Sequence, residues 1–202
     1  KPPFSTTTTA SQGAGVPKSP RYGLNDPWLR ETRIKLRAMK QNLQAAQAAT
    51  ALGVDFFDVH ALGGEEMMRA AVEASREEAG KLGIDRPRVL AITVLTSMPS
   101  TVDEVLAHAE RARNAGVDGV VSSAWEARAV RDLTGPDFLI VTPGIRPAWA
   151  ARNDQRRVAT PEMAVANGAD YIVVGRPITK AEDPRDAASK IRDLMATSEV
   201  NR

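Results

Sequence analysis

Two arginines near the carboxyl-terminal end of the chain are spaced as an anion-binding pair. Arg146 closes the segment VTPGIR (141–146), and Arg176 closes the segment YIVVGR (171–176). A run of branched apolar residues that ends in Gly-Arg is typical of a buried parallel strand that leaves its sheet and presents a cation. A polar loop, NDQRR (153–157), lies between the two segments. We therefore predict an anion site where two strand ends lie side by side.

The composition indicates that one globular domain positions these arginines. The chain has 202 residues, of which 43% are hydrophobic and 26% are charged, as in ordinary domains with a sizeable core. It has no cysteine, which excludes disulfides and thiolate metal sites and suits a cytoplasmic protein. No apolar run approaches the roughly 18 residues that a membrane span needs. Because the first residues also lack the apolar core of a secretory signal, we expect neither a membrane protein nor a secreted one.

The basic charge is concentrated in the amino-terminal part of the chain. Residues 1–45 hold eight Lys and Arg against two Asp and Glu, whereas the remainder holds 19 against 23. Because the body of the chain is mildly acidic, we expect no nucleic-acid-binding surface on it.

Residues 1–27 and 28–202 differ in their pattern. The first segment, with its STTTT run and several Gly and Pro, has no apolar period and is predicted to be a disordered or irregular basic tail. Its prolines disfavour the amphipathic helix of a transit peptide. From Trp28 to Leu52 the pattern is helical, although the stretch from Ile34 to Leu36 also fits a short strand. Residues 28–202 are the predicted folded domain.

A Gly-x-Asp triplet occurs five times, at 53–55, 83–85, 116–118, 135–137 and 168–170. Each triplet separates a helical segment from an apolar run, and glycine is the residue that most readily ends a helix. The predicted strands are Phe56–His60, Val89–Leu95, Gly119–Ser122, Phe138–Thr142 and Tyr171–Gly175. The predicted helices include Glu65–Leu82 and Val102–Ala115, the second beginning with a capping box from Thr101 to Glu104.

Strands that alternate strictly with helices predict a parallel sheet with right-handed crossovers. Such a sheet is either doubly wound or part of a (β/α)8 barrel. No G-x-G-x-x-G motif follows a strand, which disfavours a dinucleotide-binding fold. A barrel often binds phosphate at the carboxyl ends of its seventh and eighth strands, and the two Gly-Arg segments fit that position.

Several segments together resemble one enzyme family. The segments VHALGG (59–64), TVLTSM (93–98), VTPGIR (141–146), DQRRVATP (154–161) and VVGRPI (173–178) are similar, in this order, to those of bacterial orotidine 5′-phosphate decarboxylases. The resemblance covers about residues 50–195. It implies an α/β fold of the (β/α)8 TIM-barrel type, of which this chain carries the last five β/α units. It also implies a cytoplasmic lyase, homodimeric and without a cofactor, that converts orotidine 5′-phosphate (OMP) to uridine 5′-phosphate (UMP) and CO2 in pyrimidine biosynthesis.

The same resemblance assigns a role to several side chains. It implies that Arg176 and the backbone N–H of Gly175 hold the 5′-phosphate, and that Gln155 reaches the phosphate and the base from a mobile loop. It implies that Arg146 is a further substrate-binding arginine and that Thr96 contacts the pyrimidine. These roles agree with the chemistry of the residues, because a guanidinium pairs with phosphate through two hydrogen bonds and a closing loop excludes water.

The part of the family pattern that carries catalysis departs from this sequence. In the family, the lysine of an Asp-x-Lys-x-x-Asp motif protonates the carbanion that departing CO2 leaves, and the aspartates keep the lysine charged. Lys35 is the candidate for this lysine, but Arg33 and Ala38 occupy the aspartate positions. Residues 1–27 contain no predicted counterpart of the first two strands. We therefore expect impaired activity, since lost electrostatic preorganisation costs orders of magnitude in rate.

The two histidines do not suggest a metal centre. His60 at a strand end is predicted to be a polar core residue, with a substrate contact as the alternative, and His108 within a helix is predicted to be solvated. They lie far apart in the sequence with no glutamate at ligand spacing, so no metal site is expected.

Two alternative functions stay open at this stage. A non-catalytic barrel that binds a phosphate or nucleotide would keep Arg146, Gln155 and Arg176 without the catalytic acid. Another phosphosugar-barrel enzyme is the second alternative, and it is disfavoured because such enzymes lack the DQRR loop in this form.

Overall fold

Five parallel strands, each followed by a helical segment, form the core of a computed structural model that describes residues 40–94, 100–150 and 158–199. The strands are β1 (Phe56–His60), β2 (Arg88–Ile92), β3 (Gly119–Val121), β4 (Leu139–Thr142) and β5 (Tyr171–Ile172). The helices are α1 (40–51), α2 (Glu65–Leu82), α3 (Val102–Ala115), α4 (Ala127–Thr134), α5 (Pro161–Ala166), α6 (Arg176–Thr179) and α7 (Pro184–Glu199), with a 3-10 turn at Ala61–Gly63.

The bounds of β1, α2 and α3 match the prediction. Strands β3 and β5 are shorter than predicted at their carboxyl ends, whereas β4 begins at Leu139 instead of Phe138 and β2 begins at Arg88 instead of Val89. Strand β5 ends at Ile172 instead of Gly175 because its partner turns away at Pro143 and Gly144. The last contact of that pair is a hydrogen bond from the Val173 N–H to the Thr142 carbonyl at 2.9 Å. Strand β3 likewise ends at Val121 instead of Ser122. Strand β2 ends at Ile92, so its predicted extension through Thr93 and Val94 is wrong, and residue 95 lies outside the described residues.

The order of the strands identifies a barrel-type sheet. Each strand pairs with the next one in sequence, giving β1-β2-β3-β4-β5 with every pair parallel. A doubly wound sheet reverses its strand order at a switch point, and the described strands show no reversal. Of the two predicted architectures, the barrel type is therefore the one observed.

The sheet is strongly curled. The rings of Phe56 in β1 and Tyr171 in β5 contact each other edge to face, with centroids 5.2 Å apart. In a flat sheet, four spacings of about 4.8 Å would place these two strands about 19 Å apart. The contact therefore requires the sheet to bend into a trough, as strands of a barrel do.

The convex side of the trough carries the main core. Met68 and Val72 of α2 and Ala109 and Ala112 of α3 pack there against one side chain face of the sheet, which includes Val59, Ala91, Val120 and Ile140. On the concave side, Asp58 and His60 of β1 are exposed. The prediction that His60 is a polar core residue is therefore wrong, because alternation along β1 turns its side chain away from the helices.

Local signals in the sequence set where the helices begin and end. Thr101 and Glu104 form the predicted capping box of α3, with the Glu104 N–H donating to Thr101 Oγ1 at 3.2 Å and the Thr101 N–H donating to Glu104 Oε2 at 2.9 Å. Helices α2 and α3 end at Gly83 and Gly116, which have φ of 67° and 80°. Only glycine adopts this left-handed conformation without strain, which is why the Gly-x-Asp triplets follow helices.

The aspartates of two triplets make ion pairs at the amino ends of the strands. Arg86 donates to both carboxylate oxygens of Asp118, at 2.9 and 2.6 Å, and Asp118 also accepts the Val89 N–H at 2.7 Å. The pair of Arg131 and Asp170 repeats this arrangement with a 2.6 Å contact, and Asp170 accepts the Ile140 N–H at 2.7 Å. We call Arg86, Asp118, Arg131 and Asp170 the amino rim. Each pair joins a strand to the neighbouring connection.

The described strands and helices belong to a compact unit of residues 38–202. The predicted boundary between a tail and a folded domain at residue 28 lies outside the described residues and stays a prediction. Within the described part of the chain, none of the helices is long and apolar enough to cross a lipid bilayer.

Candidate anion-binding site

Arg146 is held rigidly just beyond β4. The chain turns at Gly144, which has φ of 79°, and Ile145 then inserts its fully buried side chain into a second small core. The Arg146 N–H donates to the Ala159 carbonyl at 2.9 Å, in a bridge that joins the two ends of the polar loop. The backbone of Arg146 is therefore fixed on both sides.

The Arg146 guanidinium is buried, with a residue exposure of 5%. One of its terminal nitrogens donates to the Ile145 carbonyl at 3.0 Å. Its buried Nε has no hydrogen-bond partner within the described residues. A buried cationic donor without a partner is costly, so this geometry favours an incoming anion.

Arg176 lies at the end of the next strand along the sheet. It follows β5 and begins α6, and its side chain is partly buried. Gly175, which precedes it, has open space where a side chain would be, since an added Cβ would meet no atom within 4 Å. This space leaves the backbone at Gly175 accessible to a ligand.

A single cavity brings the two arginines together. Its volume is about 260 Å³, and the residues that line it are Arg146, Trp149, Ala150, Arg176, Pro177, Lys180 and Ala181. Three of these residues are cations and none is acidic. The cavity therefore has the charge and the donors of an anion site, at the carboxyl ends of β4 and β5.

Three of the predicted site residues lie outside the described residues: Lys35, Thr96 and Gln155. Their roles stay predictions. Gly175, Arg146 and Arg176 are described, and the two arginines line the same cavity as the spacing of the Gly-Arg segments predicted.

Sequence reasoning overlooked Lys180 and Trp149 in the cavity wall. Lys180 follows Arg176 by four residues, which on a helical turn places both side chains on one face. That spacing was the available signal for Lys180. Trp149, which is 52% exposed, gave no signal because no apolar pattern includes it.

A row of buried hydroxyl groups at the carboxyl ends of the strands was also overlooked. Thr93, Ser122 and Thr142 directly follow or end three adjacent strands, in register with one another, and each is at most 2% exposed. Thr93 donates to the Val121 carbonyl at 3.0 Å. The hydroxyls of Ser122 and Thr142 have no partner within the described residues. We call Thr93, Ser122, Thr142, Arg146 and Arg176 the carboxyl rim.

His108 lies away from this site, in α3. The prediction that it is solvated is wrong, because it is half-buried and its Nδ1 has no partner in the described part of the chain. Burial, and then the charge of Arg111, lower the pKa of His108, while Glu104 acts in the opposite direction. The residues that the structure describes contain no cluster of three or more metal-ligating side chains.

Comparison with known proteins identifies the family of this chain. Residues 41–191 match the model of the orotidine 5′-phosphate decarboxylase / HUMPS family. The orotidine 5′-phosphate decarboxylase of Moorella thermoacetica is 49% identical over 159 residues, which are 73% of this chain and 63% of that protein. The enzyme of the same name from Geobacter sulfurreducens is 51% identical over 164 residues, covering 75% of this chain and 68% of that protein.

Solved structures agree with the sequence relatives. The crystal structure of orotidine 5′-phosphate decarboxylase from Lactobacillus acidophilus superposes with a TM-score of 0.67 at 36% identity, over 77% of this chain and 70% of that one. The chain thus spans somewhat under two thirds of the Moorella protein and about 70% of the Lactobacillus structure. Both the match over residues 41–191 and the shared α/β barrel fold lead to one conclusion: the chain belongs to the orotidine 5′-phosphate decarboxylase / HUMPS family.

Proposed function

We propose that this chain is a carboxy-lyase that binds OMP and converts it to UMP and CO2. Its relatives carry the name of that enzyme, and the match includes both Gly-Arg segments. The observation that carries the proposal is the cavity in which Arg146 and Arg176 face one space without an acidic neighbour in its lining. The reaction belongs to pyrimidine biosynthesis.

The chemistry of the cavity fits a phosphate monoester. A monoester carries about −1.5 to −2 charges at neutral pH and three acceptor oxygens. Arg146 offers a desolvated Nε, and Arg176 offers a partly buried guanidinium beside the open backbone at Gly175. Charge-assisted hydrogen bonds of this kind are about twice as strong as neutral ones.

The size of the cavity limits which part of the nucleotide it takes. Sites that enclose a drug-sized ligand have volumes of roughly 300–1,000 Å³, whereas this cavity has about 260 Å³. We assign it to the 5′-phosphate and the adjoining part of the ribose. The base then extends beyond this cavity. We also propose, from the family resemblance, that Thr96 contacts the pyrimidine and that Gln155 spans phosphate and base.

The chemical step breaks the bond between the pyrimidine ring and its carboxylate. The electron pair stays on the ring carbon, CO2 leaves, and a lysine ammonium supplies the proton to that carbon. We propose Lys35 for this role. Because Arg33 and Ala38 stand where the family has aspartates, the ammonium lacks its orienting carboxylates, and we expect turnover to be slower by orders of magnitude than in the relatives.

The assembly and location follow as further parts of the proposal. The family resemblance implies a homodimer, and the composition without cysteine suits the cytoplasm. We also propose that residues 1–27 are an irregular basic tail and that the barrel domain occupies residues 28–202.

Two parallel measurements test the proposal. UMP is titrated into the full chain, and the decrease in OMP absorbance is followed with the same preparation. We expect saturable UMP binding and slow loss of OMP, and we expect the double substitution of Arg33→Asp and Ala38→Asp to raise the rate about 100-fold. UMP binding without any turnover, in the wild type and in the double variant, would leave a non-catalytic nucleotide-binding barrel. Absence of UMP binding would overturn both functions.

A further inference from the structure

Lys180 is a third cation in the wall of the anion cavity. It lies just after the single turn of α6, and its N–H donates to the Arg176 carbonyl at 3.0 Å. This bond closes one helical turn between the two residues, so their side chains lie on the same face. Lys180 therefore faces the space that Arg176 faces.

The pairing of Lys180 differs from that of two lysines on the longer helices, Lys81 and Lys190. Lys81 pairs with Glu78 at 3.1 Å and Lys190 pairs with Asp186 at 2.8 Å. Over residues 40–94, 100–150 and 158–199, Lys180 makes no ion pair with an acidic side chain. Glu182 and Asp183 follow it closely in sequence, yet neither lines the cavity. Its charge is available to a ligand.

The charges in the cavity match the difference between a nucleotide and its nucleoside. A phosphate monoester carries about −1.5 to −2 charges at neutral pH, whereas the corresponding nucleoside carries none. Lys180 adds a third cationic side chain to a lining without acidic residues, so the attraction of the cavity for a ligand grows with the negative charge of that ligand. A dianion is the ligand that this arrangement favours most.

We propose that Lys180 is a further phosphate-binding residue that selects 5′-phosphorylated ligands over the corresponding nucleosides. This inference rests on the proposed function, because it places the 5′-phosphate of the nucleotide in the cavity with Arg146 and Arg176. Trp149 also lines the cavity and offers a fluorescent reporter of occupancy.

The test compares Lys180→Met with Lys190→Met in the full chain. Both variants lose one exposed lysine, but Lys190 pairs with Asp186 on α7 and does not line the cavity. UMP, uridine and inorganic phosphate are titrated at low ionic strength, where screening is weakest. Binding is followed by calorimetry and by tryptophan fluorescence, with Trp149→Phe identifying the reporting side chain.

We expect Lys180→Met to weaken the binding of UMP and of inorganic phosphate by the same factor. The expected factor is about three- to tenfold, which is the range for a partly exposed charge-assisted contact. Uridine binding should not change, and Lys190→Met should bind all three ligands as the wild type does. Two outcomes would contradict the inference without affecting the proposed decarboxylation of OMP. In the first, Lys180→Met weakens the binding of uridine and UMP equally. In the second, Lys180→Met binds UMP and phosphate as tightly as the wild type does. A wild-type chain that binds neither UMP nor phosphate would overturn the proposed function as well.

Discussion

The two ends of the same five strands treat their polar groups in opposite ways. At the amino rim, Asp118 and Asp170 each accept hydrogen bonds from an arginine and from a strand N–H. At the carboxyl rim, Arg146 Nε and the hydroxyls of Ser122 and Thr142 are buried without a partner in the described residues. Two further atoms of this kind, Ser75 Oγ and His108 Nδ1, lie in helices α2 and α3.

This difference indicates that the amino rim supports the stability of the fold and that the carboxyl rim supports ligand binding. A satisfied buried polar group contributes about 1 kcal/mol to stability, whereas an unsatisfied one costs about 1–3 kcal/mol. The carboxyl rim therefore holds donors at a cost to the free energy of folding, and a ligand that accepts them recovers that cost on binding. In barrel enzymes the active site lies at the carboxyl ends of the strands and the opposite end supports stability. The comparison of the two rims can be tested by substitutions at each.

The largest effect is expected from Arg176→Ala at the carboxyl rim. It removes a charge-assisted phosphate contact worth about 1.5–3 kcal/mol, so the Kd for UMP should rise about 10- to 100-fold. The free energy of unfolding in urea should stay within about 0.5 kcal/mol of the wild type, because the site is not part of the core. Arg185→Ala, which removes an exposed arginine in α7, is the matched control and should bind UMP normally. A stability loss without a binding loss would reverse the role assigned to this rim.

Asp170→Ala at the amino rim should have the opposite outcome. It leaves the Arg131 guanidinium, with 15% side-chain exposure, without its carboxylate and leaves the Ile140 N–H without its acceptor. We expect a loss of about 2–3 kcal/mol in the free energy of unfolding, less than for a fully buried pair because Asp170 is partly exposed.

The control for that loss is Glu73→Ala, which breaks the exposed pair with Arg76 and should cost less than about 1 kcal/mol. Urea denaturation measures both variants, and UMP titration of the folded proteins should give the wild-type Kd. A weakened Kd in Asp170→Ala would mean that the amino rim acts on the site.

The sequence predicts much of this arrangement where the signals are local. The Gly-x-Asp triplets mark where helices end, Thr101 and Glu104 mark where α3 begins, and Arg146 with Arg176 marks the cavity. The strand ends are less predictable because a strand stops where its partner turns away, as β5 does beside Pro143. The burial of His108 and the exposure of His60 also cannot be predicted from the local sequence pattern, because they depend on which faces the curled sheet and its helices cover.

The Asp–Arg pairs of the amino rim could be recognised only in part. The repeated Gly-x-Asp pattern predicts a turn, but it does not reveal that the Asp side chain binds the N–H of a neighbouring strand. That contact joins Asp118 to Val89, which lies 29 positions earlier. Long-range contacts of this kind depend on strand order, which becomes known only with the fold.

Thr101→Ala tests whether every polar residue near the carboxyl ends of the strands takes part in ligand binding. Thr101 lies in the connection after β2, but both bonds of its capping box are made. We expect a loss of about 1 kcal/mol in the free energy of unfolding, the usual value for an N-cap, and no change in UMP binding. Thr101→Ser keeps the hydroxyl and should retain most of the stability. A binding defect in Thr101→Ala alone would show that satisfied groups at this end also serve the ligand.

The smallest effect concerns His108, one of the two unsatisfied groups that belong to neither rim. Burial, and then the charge of Arg111, lower its pKa in the folded protein, whereas an unfolded histidine titrates near about 6.5. Its contribution is therefore fully present above about pH 6.5 and is lost as the pH falls below that value, because protons then bind the unfolded chain more readily. His108→Gln should flatten the stability profile between about pH 6.5 and 5.5, measured by urea denaturation at several pH values. His60→Gln, at an exposed position on the concave face, should leave the wild-type slope. An unchanged slope in His108→Gln would show that the unpartnered Nδ1 carries no cost, and that the costly unsatisfied groups are those of the carboxyl rim.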